Sequence, residues 1–411
     1  MMNSKIMLRQ AQHEQKAVIG INFTPFVLSA SKGGRRISRL SFALLFVVLV
    51  SQSITSLAAE SKESEWERTV AAAKKEGKLS LYLYQGDGEL EGVAQAFQKK
   101  YPEVAVTTVP GRGNVLGPRI MAERRAGKYL VDVYIGGPTT PYTVFYPAKI
   151  LEPIRSAFIL PEVLDESKWW EGRHHYIDPE NKYIFVFVGS ASGGYVSYNS
   201  KLVNPREFSS YWDFIQPKWK GKILSKDPKV SGSQRIGTRI LYYTPGLGPE
   251  FLRRLYSEMD VVLSQEIRQS TDWLANGKFS LCFFCSEIIK AKQQGLPVDE
   301  FVTARWKEAP AISAGSSGSL VLVNQAPHPN AARLFINWLL SKEGQVAYQK
   351  ATNSPINSEE SMRTDIAKEI IPPEARRLEG VKYMLFDRPE FMDMKPIYDL
   401  LEKALAEKKK S

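Results

Sequence analysis

The chain has 411 residues, 43% hydrophobic and 24% charged, a balance ordinary for a globular protein and long enough for two or three folded units. Its formal charge of +11 is uneven: residues 1–59 hold seven Lys/Arg and one acid, leaving 48 basic against 43 acidic residues from position 60 onward. No Lys/Arg run precedes an aromatic cluster in that remainder, so the basic balance does not indicate a nucleic-acid partner.

The front end reads as an export signal. A cationic stretch, Gly34 to Leu40, precedes an apolar run over Ser41–Val50, and small residues follow up to Ala58-Ala59, where a cut is expected. The run is short of the roughly 20 residues a membrane span needs. No Cys lies near the cut to carry a lipid. Arg35-Arg36 hints at twin-arginine export, although Ser38 stands where an apolar residue is expected. Residues 1–33 are too long for an ordinary leader start and carry no expected fold. A membrane-anchored sensor is the competing reading, and finding residues 41–50 intact in the mature protein would support it.

After the cut, residues 64–76 read as a helix with Trp66, Val70 and Ala73 on one face. Leu79–Tyr84 alternates as a strand and Leu90–Lys100 is helical. Val104–Val109 is a second strand and Val115–Ala126 a helix, and Val131–Ile135 is a third strand. This alternation implies parallel pairing with right-handed crossovers, and ligands collect beyond the carboxyl ends of such strands. Those ends are the polar, Gly-rich loops 85–88, 110–113 and 136–140. Lys149–Ile154 looks like a crossing out of this unit, and Tyr183–Val188 and Gly194–Tyr198 are strong strands. Helices are expected at 209–215, 249–257, 286–294 and 330–341, another ends near Gly277, and strands are expected at 279–284 and 319–323.

The stretch Gly221–Arg239 concentrates binding-type chemistry. A short strand (Ile223, Leu224) enters a polar loop ending in Ser231-Gly232-Ser233, and a helix follows over Gln234–Tyr243. A helix start offers unpaired N–H groups and the positive end of its dipole, so hydroxyls and a side-chain-free glycine there suit an anion. A serine at that place also serves as a plain N-cap.

Asn330 to Gln345 (Asn-Ala-Ala-Arg-Leu-Phe-Ile-Asn-Trp-Leu-Leu-Ser-Lys-Glu-Gly-Gln) resembles the late helix of bacterial extracellular solute-binding proteins, the exported receptors of ABC importers. Ile150-Leu151-Glu152-Pro153 and Gln216-Pro217-Lys218-Trp219-Lys220-Gly221 are similar to the branch that includes periplasmic ferric-iron-binding proteins. The resemblance runs from about residue 64 to about 400. It implies an α/β, two-lobed type II periplasmic binding protein, each lobe a mostly parallel sheet flanked by helices, closing on a ligand between them. One lobe is expected at 60–155 plus 305–355, the other at 160–300 plus 356–411, after a 1–59 extension and signal. It also implies a periplasmic location, a small-molecule solute and an inner-membrane permease as partners, a monomer, and no cofactor.

Iron binders of that branch use a His or carboxylates in the first lobe and a Tyr-Tyr pair near the helix after the 279–284 strand. Here that neighbourhood reads Cys282-Phe283-Phe284-Cys285-Ser286-Glu287, and Tyr242-Tyr243 belongs to an earlier helix. The first-strand loop offers Asp87 and no His, and the second-strand loop offers Arg112, which opposes a cation. The same branch often holds a small anion with a Ser-Gly loop, which Ser231, Gly232 and Ser233 match. Arg112, with Gly113 and Thr139, would face it from the other lobe and bind a carboxylate, phosphate or phosphonate. Ser286 at a helix start is a further donor and Glu287 a receiver for an amine. Arg119 and Arg235 are alternative cations that fit a surface role equally well. Ferric iron, alone or as an anion complex, is the alternative ligand.

The remaining constellations point away from chemistry. Cys282 and Cys285 are expected as buried free thiols, with a disulfide as the alternative, because bridging them needs a break in the strand. His174-His175 are expected at the surface, and Asp132 as a loop support. No Gly-x-Ser-x-Gly, phosphate-binding Lys loop or His-Glu-x-x-His occurs, so no metal site is assigned and a secreted hydrolase is the weaker reading, which turnover of esters would reveal.

Overall fold

A computed structural model describes residues 65–84, 89–192, 196–230, 233–308, 310–315, 317–352, 359–371 and 376–408. The signal-type segment and its cut lie outside them. No helix among the described residues is long and apolar enough to cross a membrane.

Helix α1 (65–76) buries Ala73 and rests Trp66 and Val70 on the core. Strand β1 (Lys78–Tyr84) leads through α2 (Glu89–Lys100) to β2 (Ala105–Gly111), and α3 (Gly113–Arg125) leads to β3 (Val133–Gly136). Both neighbours pair with β1 in parallel, from Lys78↔Ala105 to Tyr84↔Gly111 and from Leu81↔Val133 to Leu83↔Ile135. The expected alternation is therefore present. β2 runs on through Pro110 and Gly111, which the sequence assigned to a loop. It is the edge strand, where a missing N–H leaves no ladder bond unmade.

Short strands β4 (Leu151–Glu152), β5 (His175–Tyr176) and β6 (Phe185–Val186) complete this side. The run expected as one strand over 183–188 divides here, and β7 (Val188–Ser192) leaves the sheet. A second sheet follows, with β8 (Val196–Asn199), β9 (Ile223–Lys226), β10 (Val262–Ser264), β11 (Leu281–Phe283) and β12 (Val298–Glu300) in the order β10-β9-β11-β8-β12. Its helices are α4 (Ser233–Tyr243), α5 (Gly248–Glu258), α6 (Ile267–Ala275) and the short α7 (Ile288–Gln293). The chain returns along β13 (Ala311–Ser313) into β14 (Ser319–Val323), which lies between β3 and β6 in the first sheet. Helices α8 (Pro329–Leu340) and α9 (Lys342–Thr352) cover that sheet, and α10 (Lys395–Lys408) packs on α5 of the second.

The hydrophobic cores place the lobe boundary later than the sequence suggests. Phe158, Val163, Trp169 and Phe185 share one core with Leu81 and Val133, so residues 158–187 belong with the first sheet rather than with a lobe starting at 160. Met362 and Tyr383 join the same core, whereas Ile397 and Leu401 join Phe214, Phe251 and Phe283 in the second. The reason is aromatic packing: Trp169 and Phe185 meet edge to face at 5.1 Å, with Phe158 against the same ring.

That packing also corrects the surface assignment of His174 and His175, which are 7% and 4% exposed. His174 donates through Nε2–H to the Val163 carbonyl at 2.9 Å, and His175 reaches the Trp170 carbonyl at 2.9 Å. Burial holds both rings neutral and pushes the His174 pKa down to about 4. The unfolded chain binds protons on these rings near pH 6.5, and the folded chain does not until lower pH. Stability is thus expected to fall as pH drops from about 6.5 towards 4. Melting curves over that window should show a shallower decline for His174→Gln than for the parent protein.

Candidate functional site

Register fixes which ends of the two sheets meet. In the first sheet Gly136, the last residue of β3, pairs with Ser319, and Ser319 pairs on its other side with Val186, from which the chain passes into β7. In the second sheet Val196, where β7 delivers the chain, pairs with Phe283 at the end of β11, and Phe283 pairs with Ser225 near the end of β9. The parallel strands of both sheets therefore turn their carboxyl ends towards the crossing strands β7 and β13. These two pair antiparallel, Ile312 opposite Ala191. Asp387, 1% exposed, ties the crossing down: it accepts from Ser313 Oγ at 2.9 Å, from the Ala314 amide, and from Arg239 of α4 at 2.7 Å.

The wall from the first sheet contains Arg112, Gly113 and Thr139. Arg112 is the N-cap of α3 and exposed, and its carbonyl accepts from the Val115 and Leu116 amides while its guanidinium has no hydrogen-bond or ion-pair partner among the described residues. The first turn of α3 carries no acid, so nothing there offsets the positive end of the helix. Gly113 is set tightly against the turn after β3. A Cβ on it would lie 2.3 Å from Thr140 Oγ1 and 3.3 Å from the Tyr134 hydroxyl, which is hydrogen-bonded to Thr140. Thr139 beside this contact is exposed. The structure thus brings Arg112, Gly113 and the 139–140 turn together. Asp87 lies outside the described residues.

Of the residues expected on the second lobe, Ser231 and Gly232 lie outside the described residues, and Ser233 begins α4, whose first turn also lacks an acid. Ser286 is not a helix cap as expected. Glu287 takes that place, exposed and with φ 61°, and the helix begins at Ile288. Ser286 instead accepts from Lys226 Nζ at 3.3 Å, and its carbonyl accepts from Thr271 Oγ1 at 2.9 Å. Cys282 and Cys285 form a disulfide rather than two free thiols. The needed break is Phe284, with φ 63° just past the end of β11, which brings the two Cα atoms to 5.8 Å. Lys226 is not singled out by sequence, because a lysine beside Asp-Pro reads as surface.

Other candidates are absorbed elsewhere. Arg119 pairs with Glu123 at 2.8 Å over the Tyr82 ring, and Arg235 lies over Tyr398. Asp132 accepts from the Ser80 amide, the His328 amide and His328 Nδ1–H at 2.7–2.9 Å, which joins β1 to the start of α8. Tyr243 donates to the Asp393 carbonyl. Among the described residues no group of three or more His, Cys, Asp or Glu could hold a metal ion. A groove lined by Glu91, Gln95, Gln98 and Val106 runs along the β2 edge, away from the carboxyl ends.

Two sheets joined by paired crossing strands, with helix starts facing the junction, define a two-lobed binding protein. Residues 85–346 match the family of bacterial extracellular solute-binding proteins, and the chain belongs to it. It is a solute receptor of the ABC-importer type, and its family and fold are those of binding proteins, not enzymes. The spermidine/putrescine-binding periplasmic protein of Escherichia coli is 22% identical over 200 residues, 46% of this chain and 57% of that one. The Trichodesmium protein IdiA (FutA), solved with iron and citrate, shares the fold with a TM-score of 0.55 and 20% identity over 81% of this chain and 99% of its own. AfuA from Actinobacillus pleuropneumoniae, solved with fructose-6-phosphate, has a TM-score of 0.52 and 18% identity over 82% and 99%.

The contact under Gly113 is checkable without a ligand. Gly113→Ala forces Thr140 off its hydrogen bond and is expected to cost about 1–3 kcal/mol in chemical denaturation. Adding Thr140→Ala should recover most of that loss.

Proposed function

We propose that the protein is an exported receptor that grips a small anionic or zwitterionic solute between its lobes and presents it to an ABC importer. The observation that carries this reading is Arg112: an exposed arginine with no acid partner among the described residues, at a helix start free of acids, beyond the carboxyl end of the first sheet. A guanidinium and helix N–H groups together recognise carboxylate, phosphate or phosphonate oxygens. On the second lobe the proposed donors are Ser231, Gly232 and Ser233 at the start of α4, and Asp87 and Glu287 are the acids for an amine in a zwitterion. A solute that touches both walls binds the closed form better than the open one and so shifts the population towards closure. The permease then meets the closed shape. The leader over residues 34–59 supplies the export step.

The neighbours' ligands span iron with citrate, a sugar phosphate and, by name, polyamines. Bare iron and polyamines are cations, and Arg112 disfavours both. An iron–anion complex is the second reading, favoured only by the fold neighbour that holds iron with citrate.

Thermal-shift screening against organic acids, inorganic phosphate, phosphonates, amino acids, spermidine and ferric citrate tests the reading, since a bound solute raises the melting temperature by linkage. The expected hit carries an anionic group. Arg112→Ala should weaken it about tenfold or more while leaving the ligand-free melting point unchanged. A response confined to spermidine, or an unchanged affinity in Arg112→Ala, would overturn the assignment.

A further inference from the structure

Lys226 is the last residue of β9, a strand flanked in parallel by β10 and β11, and it stands opposite Ser264 of β10. It is 5% exposed, in a position where a lysine is rarely found without a counter-charge. Its ammonium has one partner among the described residues, the neutral hydroxyl of Ser286. The nearest acid in sequence, Asp227, is engaged elsewhere, accepting from the Lys229 amide at 3.0 Å and Gln265 Nε2 at 3.4 Å.

The surroundings are held in place. The Lys226 carbonyl accepts from Ser225 Oγ at 2.8 Å, and that hydroxyl also meets the Tyr256 hydroxyl at 3.0 Å. Ser286 is fixed by Thr271 and by the adjoining disulfide. The ammonium is therefore held in place at the carboxyl edge of the sheet.

We propose that Lys226 is a solute-binding residue of the second lobe, its ammonium and the Ser286 hydroxyl receiving one oxygen of the carboxylate, phosphate or phosphonate group that Arg112 meets from the first lobe. The inference rests on the anion reading above. A buried charge is paired in a stable protein, and here the pairing charge is the one the solute brings. Burial moves the Lys226 pKa downward, and an anion beside the ammonium would oppose that shift.

The test is isothermal titration calorimetry of the full chain at pH 7 with inorganic phosphate, citrate and fructose 6-phosphate, on the parent protein and on Lys226→Met and Lys226→Arg. For whichever anion the parent binds, Lys226→Met should lose about tenfold to hundredfold in affinity, and Lys226→Arg should keep most of it. Ligand-free Lys226→Met should melt no lower than the parent, since an unpaired buried charge has been removed. Lys226→Gln replaces the Met variant if that one does not fold. Parent-like affinity in the neutral variant overturns this inference and leaves the proposed function standing. A parent protein that takes up none of the three anions overturns both.

Discussion

Everything about the site depends on the pairing of Ser319. This residue is bonded between Gly136 and Val186, and its hydroxyl donates to the Gly136 carbonyl at 2.6 Å. The arrangement puts the exit into β7 at the same edge where the parallel strands β1–β3 end. Phe283 does the equivalent in the second sheet, between Val196 and Ser225. With both exits at the carboxyl edges, the start of α3 lies at the edge where the chain leaves the first sheet. Parallel α/β sheets carry ligands at those edges because helix starts gather there. Here register, rather than any single contact, turns two such edges towards one junction.

Two cations near that junction lack a matching acid among the described residues. The first turns of α3 and α4 contain no acid, Arg112 is exposed and unpaired among the described residues, and Lys226 is buried with a hydroxyl as its partner. At the crossing itself, buried Arg239 is matched by buried Asp387. Matched pairs build the fold, while charges left unmatched at a functional edge are what a solute can complete.

Much of the first lobe was readable in advance, because Leu79, Leu81 and Leu83 repeat every two residues and Leu90, Val93, Ala94 and Phe97 repeat at helix spacing. Two-residue strands such as β5 and β6 leave no periodic trace. The lobe boundary was misplaced because it is set by Trp169, Phe158 and Phe185 meeting across the chain, and no local pattern records that. His174 and His175 read as surface residues because their neighbours are polar, yet two backbone carbonyls and a ring of aromatics hold them inside. The cysteine bridge depends on one positive φ at Phe284, a property that residue type does not reveal. Of the site, Gly113 beside Arg112 packs on the turn at Thr139–Thr140, whereas Lys226 is visible only once its burial is known.

The two cations differ in how wet they are, and wetness separates kinetics from retention. A guanidinium exposed to water acts at a distance, so under the proposed reading Arg112 governs the encounter rate and its dependence on ionic strength. An ammonium already stripped of water acts only on contact, so under the proposed reading Lys226 governs how long the captured solute stays. On that reading the on-rate and the residence time are set by different side chains on different lobes.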